Sequence, residues 1–130
     1  MDKIIKIKET CLYLHDLEGA KQFYHGKLKL GVISYVPDKH IFFRVGGSVL
    51  LCFNPEDSKV KTSPPPHFAT GNQHFAFEVE QRDYEKVKER ILNLGIAITD
   101  TVVWSSGQES FYFNDPENNV LEIVPLGVWE

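Results

Sequence analysis

Along residues 4 to 14, Ile-Ile-Lys-Ile-Lys-Glu-Thr-Cys-Leu-Tyr-Leu, the chain shows the period of two expected of a strand, with β-branched and aromatic content. Asp16 then offers a helix N-cap, and Leu17, Ala20, Phe23, Tyr24 and Leu28 recur at helical spacing until Gly31. Three shorter strands are expected at about 31 to 36, 40 to 46 and 48 to 54, with Pro37-Asp38 and Gly46-Gly47 as the turns between them. The segment from Pro55 to Gly71 holds four of the seven prolines and few large apolar residues, and reads as a loop or linker. The same order then returns. A strand is expected at 73 to 80, a helix from about Gln81 to Leu94 ending at Gly95, and strands near 97 to 104, 109 to 114 and 119 to 124, with turns at Gly107 and Asp115-Pro116-Glu117-Asn118.

Setting Glu9 against His74 superimposes the two halves element for element, so the fold expected is α+β, built from two βαβββ repeats. We expect one domain over 1–130, with repeat one at about 4–54, a linker at 55–72, repeat two at about 73–124 and a C-terminal tail at 125–130. A chain of 130 residues is long enough to bury a core of its own.

Side chains on a strand alternate faces. Leu12 and Leu14 belong against the first helix, which turns Glu9, Cys11 and Tyr13 the other way. Phe75, Phe77 and Val79 belong against the second helix, as do Phe111, Phe113, Leu121 and Ile123, which leaves His74, Ser110, Tyr112 and Glu122 on the opposite face. Three ligand-type groups, Glu9, His74 and Glu122, therefore leave the helix-packed side, and they can converge if that surface curls into a cup. Two carboxylates and an imidazole suit a divalent first-row metal and leave coordination positions for water or substrate. The plainer reading is a set of polar residues on the wet face of a half-exposed sheet.

Other candidates have two readings each. His67, in Pro-Pro-Pro-His, either folds over a site or is an exposed loop histidine. Arg44 shares a face with Phe42 and either anchors an anionic substrate or is an ordinary strand arginine. Ser110 and Tyr112 offer hydroxyls on the Glu122 side, and Trp104 and Trp129 either wall a pocket or fill a core. Cys11 and Cys52 read as reduced, packed thiols.

The net charge of -4 leaves no basic stripe for a phosphate backbone, so nucleic acid is not an expected partner. The N-terminus lacks the apolar core of a signal peptide and no apolar run reaches membrane-spanning length, so a cytoplasmic protein with no membrane partner is expected.

Three stretches resemble the glyoxalase, bleomycin-resistance and extradiol-dioxygenase superfamily, also called vicinal oxygen chelate. They are Leu-Tyr-Leu-His-Asp-Leu-Glu-Gly-Ala-Lys-Gln-Phe-Tyr-His-Gly-Lys-Leu-Lys-Leu-Gly, then His-Phe-Ala-Phe-Glu-Val from His74, then Ser-Phe-Tyr-Phe-Asn-Asp-Pro-Glu-Asn-Asn-Val-Leu-Glu from Ser110. The resemblance implies a rolled, cup-like mixed sheet with helices on its outer face. It also implies metal ligands at Glu9, His74 and Glu122, a divalent ion (Mn, Fe, Ni, Co or Zn), a small-molecule substrate and a homodimer. The implied activity is that of a metal-dependent lyase, isomerase, transferase or dioxygenase, in which the metal polarises neighbouring oxygens of a substrate. Glu9 or Glu122 would act as a base if held only loosely by the metal. Substrate contacts are expected from Arg44, His67, Trp104, Ser110 and Tyr112. Two departures stand out: the first ligand position is more often histidine than the Glu9 found here, and the fourth ligand of glyoxalase I falls at Leu50 or Leu51, which argues against glyoxalase I activity itself. The alternative function is a metal-free protein that sequesters a drug or metabolite, as bleomycin-resistance members do.

Overall fold

The computed structural model describes residues 2–130, which fall into two compact units that meet in sequence between Thr70 and Gly71. The first contains β1 (Glu9–Tyr13), α1 (Leu17–Ala20, running on as a π-helical stretch over Lys21–Lys27), β2 (Gly31–Val36), β3 (His40–Val45), β4 (Ser48–Phe53) and the short α2 (Pro55–Ser58). The second contains β5 (His74–Val79), a 3-10 turn (Gln81–Asp83), α3 (Tyr84–Asn93), β6 (Ile98–Val103), β7 (Glu109–Asn114) and β8 (Val120–Pro125).

Each unit holds one four-stranded mixed sheet, in the orders β1-β4-β3-β2 and β5-β8-β7-β6. The outermost pairs β1/β4 and β5/β8 are parallel and the others antiparallel. The βαβββ order is thus an α+β fold repeated, down to a register shift in the same place, between Val32 and Ser34 in β2 and between Ile98 and Asp100 in β6.

Alternation sets the core of each unit. Leu12, Ile41, Phe43, Leu50 and Cys52 are buried with Leu17, Ala20, Phe23 and Tyr24 of the first helix, and the Tyr24 and Phe43 rings lie 5.4 Å apart. Phe111, Phe113, Leu121 and Ile123 are buried with Tyr84 and Ile91 of α3. Asp16 caps α1 as expected, accepting from the Gly19 amide at 2.9 Å. The helix ends where Lys29 takes a left-handed φ of 64° and the Leu28 amide reaches back five residues to the Phe23 carbonyl at 3.0 Å.

Two stretches differ from the sequence pattern. The first strand begins at Glu9, not near residue 4, because β4 starts at Ser48 and offers residues 4 to 7 no neighbour to pair with. Ile4, Ile5 and Ile7 are exposed there, while the Lys6 and Lys8 ammonium groups both donate to the Gly47 carbonyl, at 2.6 and 2.9 Å. The segment expected to be loop opens instead with α2, whose Asn54 cap accepts from the Glu56 amide and whose Pro55 has no amide hydrogen to lose at the first turn.

Candidate metal centre

The second unit gathers the strongest chemistry, and the turn between β7 and β8 organises it. Asp115 and Asn119 are both buried. One Asp115 oxygen accepts from the amides of Glu117 and Asn119, and the other accepts from the Asn119 side-chain nitrogen, all at 2.9 Å. Asn119 then uses its side-chain oxygen to accept from the Gln73 amide at 2.9 Å. This ties the start of β5 to β8 and fixes the register in which His74 lies beside Val120, with Ala76 beside Glu122.

That register determines the state of His74. A carbonyl can only accept, so the 2.8 Å contact with Val120 is donated by Nδ1–H of the imidazole. Nε2 is the atom left to face outward, and it stands 3.4 Å from Oε1 of Glu122. Glu122 is only 6% exposed, and among the described residues His74 is its one ion-pair partner. A buried carboxylate without compensation costs several kcal/mol, on the order of the effective penalty for one ion. Two bare lone pairs facing each other would add repulsion. A metal ion held between them would satisfy both groups. The 3.4 Å span is close to the ~3.4 Å between two ligands each about 2.1 Å from a tetrahedral ion.

Tyr112 lies directly across from Glu122 in the β7/β8 ladder, half-buried, with its ring 5.9 Å from that of His74. Burial, and then the charge of Glu122, push its phenol above the ordinary range, so it stays protonated and works as a donor. Ser110 is fully buried, and its Oγ accepts from Nε1–H of Trp104 at 3.0 Å. Trp104 packs against Trp129 with ring centres 5.3 Å apart.

The other candidates belong to the first unit. Glu9 is exposed at the start of β1, and Arg44 is exposed on β3. Both lie opposite Val49, one on each side of β4. His67 is half-buried: Nδ1 shares a 2.8 Å hydrogen bond with the Tyr13 hydroxyl, and its ring stands edge-on to Phe53 at 4.5 Å. Its backbone is held as well, since Ser58 Oγ donates to the His67 carbonyl at 2.6 Å. Cys11, between Glu9 and Tyr13, has its thiol raised by burial and then by the Glu9 charge, which keeps it protonated and a poor nucleophile.

The matched registers resolve one ambiguity of the sequence. Glu122 pairs with the residue two past His74, and Leu51 pairs with the residue two past Glu9, so Leu51, not Leu50, is the repeat counterpart of Glu122. By the same rule Phe42 corresponds to Tyr112 and His40 to Ser110. No group of three His, Cys, Asp or Glu side chains able to hold an ion occurs among the described residues, so the second unit supplies the His74–Glu122 pair. The sequence pattern missed Asp115 and Asn119. Their signal was present as Asp-Pro-Glu-Asn-Asn, but it was read only as a turn.

Comparison with known proteins agrees with the fold. The family model described as the Glyoxalase/Bleomycin resistance protein/Dioxygenase superfamily matches residues 6–123. The crystal structure of lactoylglutathione lyase from Agrobacterium tumefaciens is 31% identical, with a TM-score of 0.90, covering 95% of this chain and 96% of that one. Glutathione transferase FosA from Serratia marcescens is 26% identical over 125 residues, covering 90% of this chain and 78% of its own length. The fosfomycin resistance protein FosX from Listeria monocytogenes, crystallised with Mn(II) and 1S,2S-dihydroxypropylphosphonic acid, shares the fold at a TM-score of 0.68 and 20% identity, covering 93% of this chain and 90% of that one.

Proposed function

We propose that this chain, which belongs to the Glyoxalase/Bleomycin resistance protein/Dioxygenase superfamily, is a metal-dependent enzyme acting on a small molecule with neighbouring oxygens. The observation that carries the reading is the His74–Glu122 pair: an imidazole whose Nδ1 is already committed to Val120 presents Nε2 to a buried carboxylate 3.4 Å away. His74 and Glu122 would hold a divalent ion, with Glu9, the counterpart of His74 in the first repeat, as the third ligand. A bound ion of this kind supplies Lewis acidity toward substrate oxygens.

The protein's own residues do the rest. Tyr112 presents a protonated phenol beside Glu122 and can donate to an oxygen that gains negative charge. Arg44 offers an exposed guanidinium to an anionic substituent, and His67, anchored by Tyr13 and by Ser58, is the second polar contact proposed for substrate. Leu51, in the position of a fourth ligand, cannot coordinate, which separates this site from that of glyoxalase I. The relatives named for lactoylglutathione and for glutathione transfer make glutathione adducts, or addition of the glutathione thiol, the first chemistry to assay.

Metal analysis of untagged protein tests the reading. Near-stoichiometric Mn, Fe, Ni, Co or Zn is expected, falling by at least tenfold in His74→Ala and Glu122→Gln. A wild-type protein that carries no metal and takes none up when these ions are added would overturn it, and would favour the sequestering function instead.

A further inference from the structure

We propose that Ser34 and His40 form a nucleophile–base pair on the first unit that transfers a short apolar acyl group from an activated ester to water. The pair uses none of the residues proposed as metal ligands, and its chemistry needs no ion.

The irregularity in β2 is what aims the serine. An unbroken ladder from Val32 would set Ile33 opposite Phe42 and turn Ser34 to the side of the fully buried Ile41. The register slips instead, so Ile33 has no partner on β3 and Ser34 lies opposite Phe42. Its Oγ is then 2.9 Å from Nε2 of His40, which shares a face with Phe42 on β3. In the tautomer that carries its proton on Nδ1, the imidazole accepts the serine O–H, the contact a hydroxyl nucleophile needs with its base. The second repeat has the same slip without the pair: Asp100 stands opposite Tyr112 and accepts from the Thr101 amide, and Ser110 accepts from Trp104.

The base is oriented by its neighbours. The His40 ring stacks on Phe42 at 4.0 Å, with 13° between the planes, and meets Phe53 edge-on at 6.3 Å. Burial lowers its pKa, as do the charges of Lys61 and Lys39, against the opposing charge of Asp57, so the ring is neutral near pH 7. Phe42 and Phe53, 5.3 Å apart and half-buried, set an aromatic surface beside Ser34 that suits a short apolar acyl chain. β2 is an edge strand, and its outward amides are the donors available to a developing oxyanion.

In the first step the Ser34 Oγ–acyl bond forms and the ester C–O bond breaks. The serine proton passes to His40 Nε2 and from there to the departing alcohol oxygen. In the second step water adds to the acyl carbon and gives its proton to Nε2. The Oγ–acyl bond then breaks, the carboxylic acid leaves, and the proton returns to Ser34.

The test uses the full chain after EDTA treatment, so that ion chemistry contributes nothing. A fluorophosphonate probe reacts by the same attack, with an Oγ–P bond formed and fluoride expelled. One adduct is expected, mapped to Ser34 by peptide mass spectrometry and absent from Ser34→Ala. His40→Phe keeps the stack and removes the base, and labelling is expected to slow at least a hundredfold, the lower end of what a general base supplies. With p-nitrophenyl acetate, wild type is expected to release a burst of about one equivalent of nitrophenolate, the sign of an acyl-enzyme. Wild type without an adduct on Ser34 would overturn the proposal however the variants fold. Equal labelling rates in wild type, His40→Phe and His40→Gln would remove His40 as the base. Each result stands whether or not the protein binds metal.

Discussion

Glu109 and Glu122 are carboxylates of the same sheet whose surroundings give them opposite tasks. Glu109 accepts from Lys88 Nζ at 2.9 Å and from the Tyr84 hydroxyl at 2.8 Å. Those two bonds hold its carboxyl below the ordinary range, whereas Tyr84, buried and bonded to Glu109, is pushed far above its own. A depressed folded-state pKa stabilises the fold above the unfolded value and loses that contribution as pH falls through the folded value. Tyr84→Phe is therefore expected to cost about 1 kcal/mol at pH 7, the net worth of a typical hydrogen bond, and less as pH falls through the depressed folded value of Glu109, below the ordinary carboxylate range. Urea unfolding followed from pH 7 down through the acid range measures both, and a loss that stays equal at every pH would mean the bond to Glu109 is not what was removed. Neither carboxylate's role was readable in the sequence in full. Alternation along β8 gives the side on which Glu122 lies but not its depth, and the reading of a wet polar face fails for a group 6% exposed. The partners of Glu109 lie 21 and 25 residues away on another element, where no local pattern reaches.

Between elements, the Asp115–Asn119 turn does more than reverse the chain. Asn118 takes a left-handed φ of 66°, and the Asn119 side chain reaches across to the amide that precedes His74. Asn119→Ala would remove the acceptor of the Gln73 amide and one of the bonds to Asp115, at roughly 1–3 kcal/mol for a buried donor left unsatisfied, and would loosen the register that faces His74 toward Glu122. Lower thermal stability together with weaker metal binding is expected. If Asn119→Ala lost stability but kept full metal affinity, the turn would be a structural staple with no bearing on the site. The strands were the most legible elements, because alternation is read directly from apolar positions, and β7 at 109–114 agrees residue for residue. The start of β1 and the helix at Pro55–Ser58 were not, since the first depends on where β4 begins and the second is four residues long, too short to show a period. The π-helical turn was equally hidden. The spacing of Phe23 and Tyr24 fits an ordinary helix, and the two are separated by bonds that reach back five residues, such as that from Leu28 to Phe23.

At the scale of the whole molecule the question is what covers the apolar surface that each unit leaves on its outermost strands. Units of 70 and 60 residues are of a size that buries only about 60% of the unfolded surface and is correspondingly marginal alone. On β2, Val32, Ile33 and Val36 are 36%, 45% and 38% exposed, and on β6 Val103 is 69% exposed. Both are edge strands, with backbone donors and acceptors along one side free to pair. Long apolar edges of this kind are normally covered, and a second copy of the chain brings the same edges with two-fold symmetry. The homodimer expected from the family resemblance therefore has a physical reason in this chain. Light scattering at micromolar concentration is expected to give twice the chain mass. Because a dimer is stabilised by mass action, its melting temperature should rise with protein concentration. Substituting Val32 and Ile33 with Thr or Lys should lower the dimer fraction if β2 forms the contact, and the same change at Val103 tests β6. A monomer whose melting temperature is independent of concentration would remove the dimer from the proposed function.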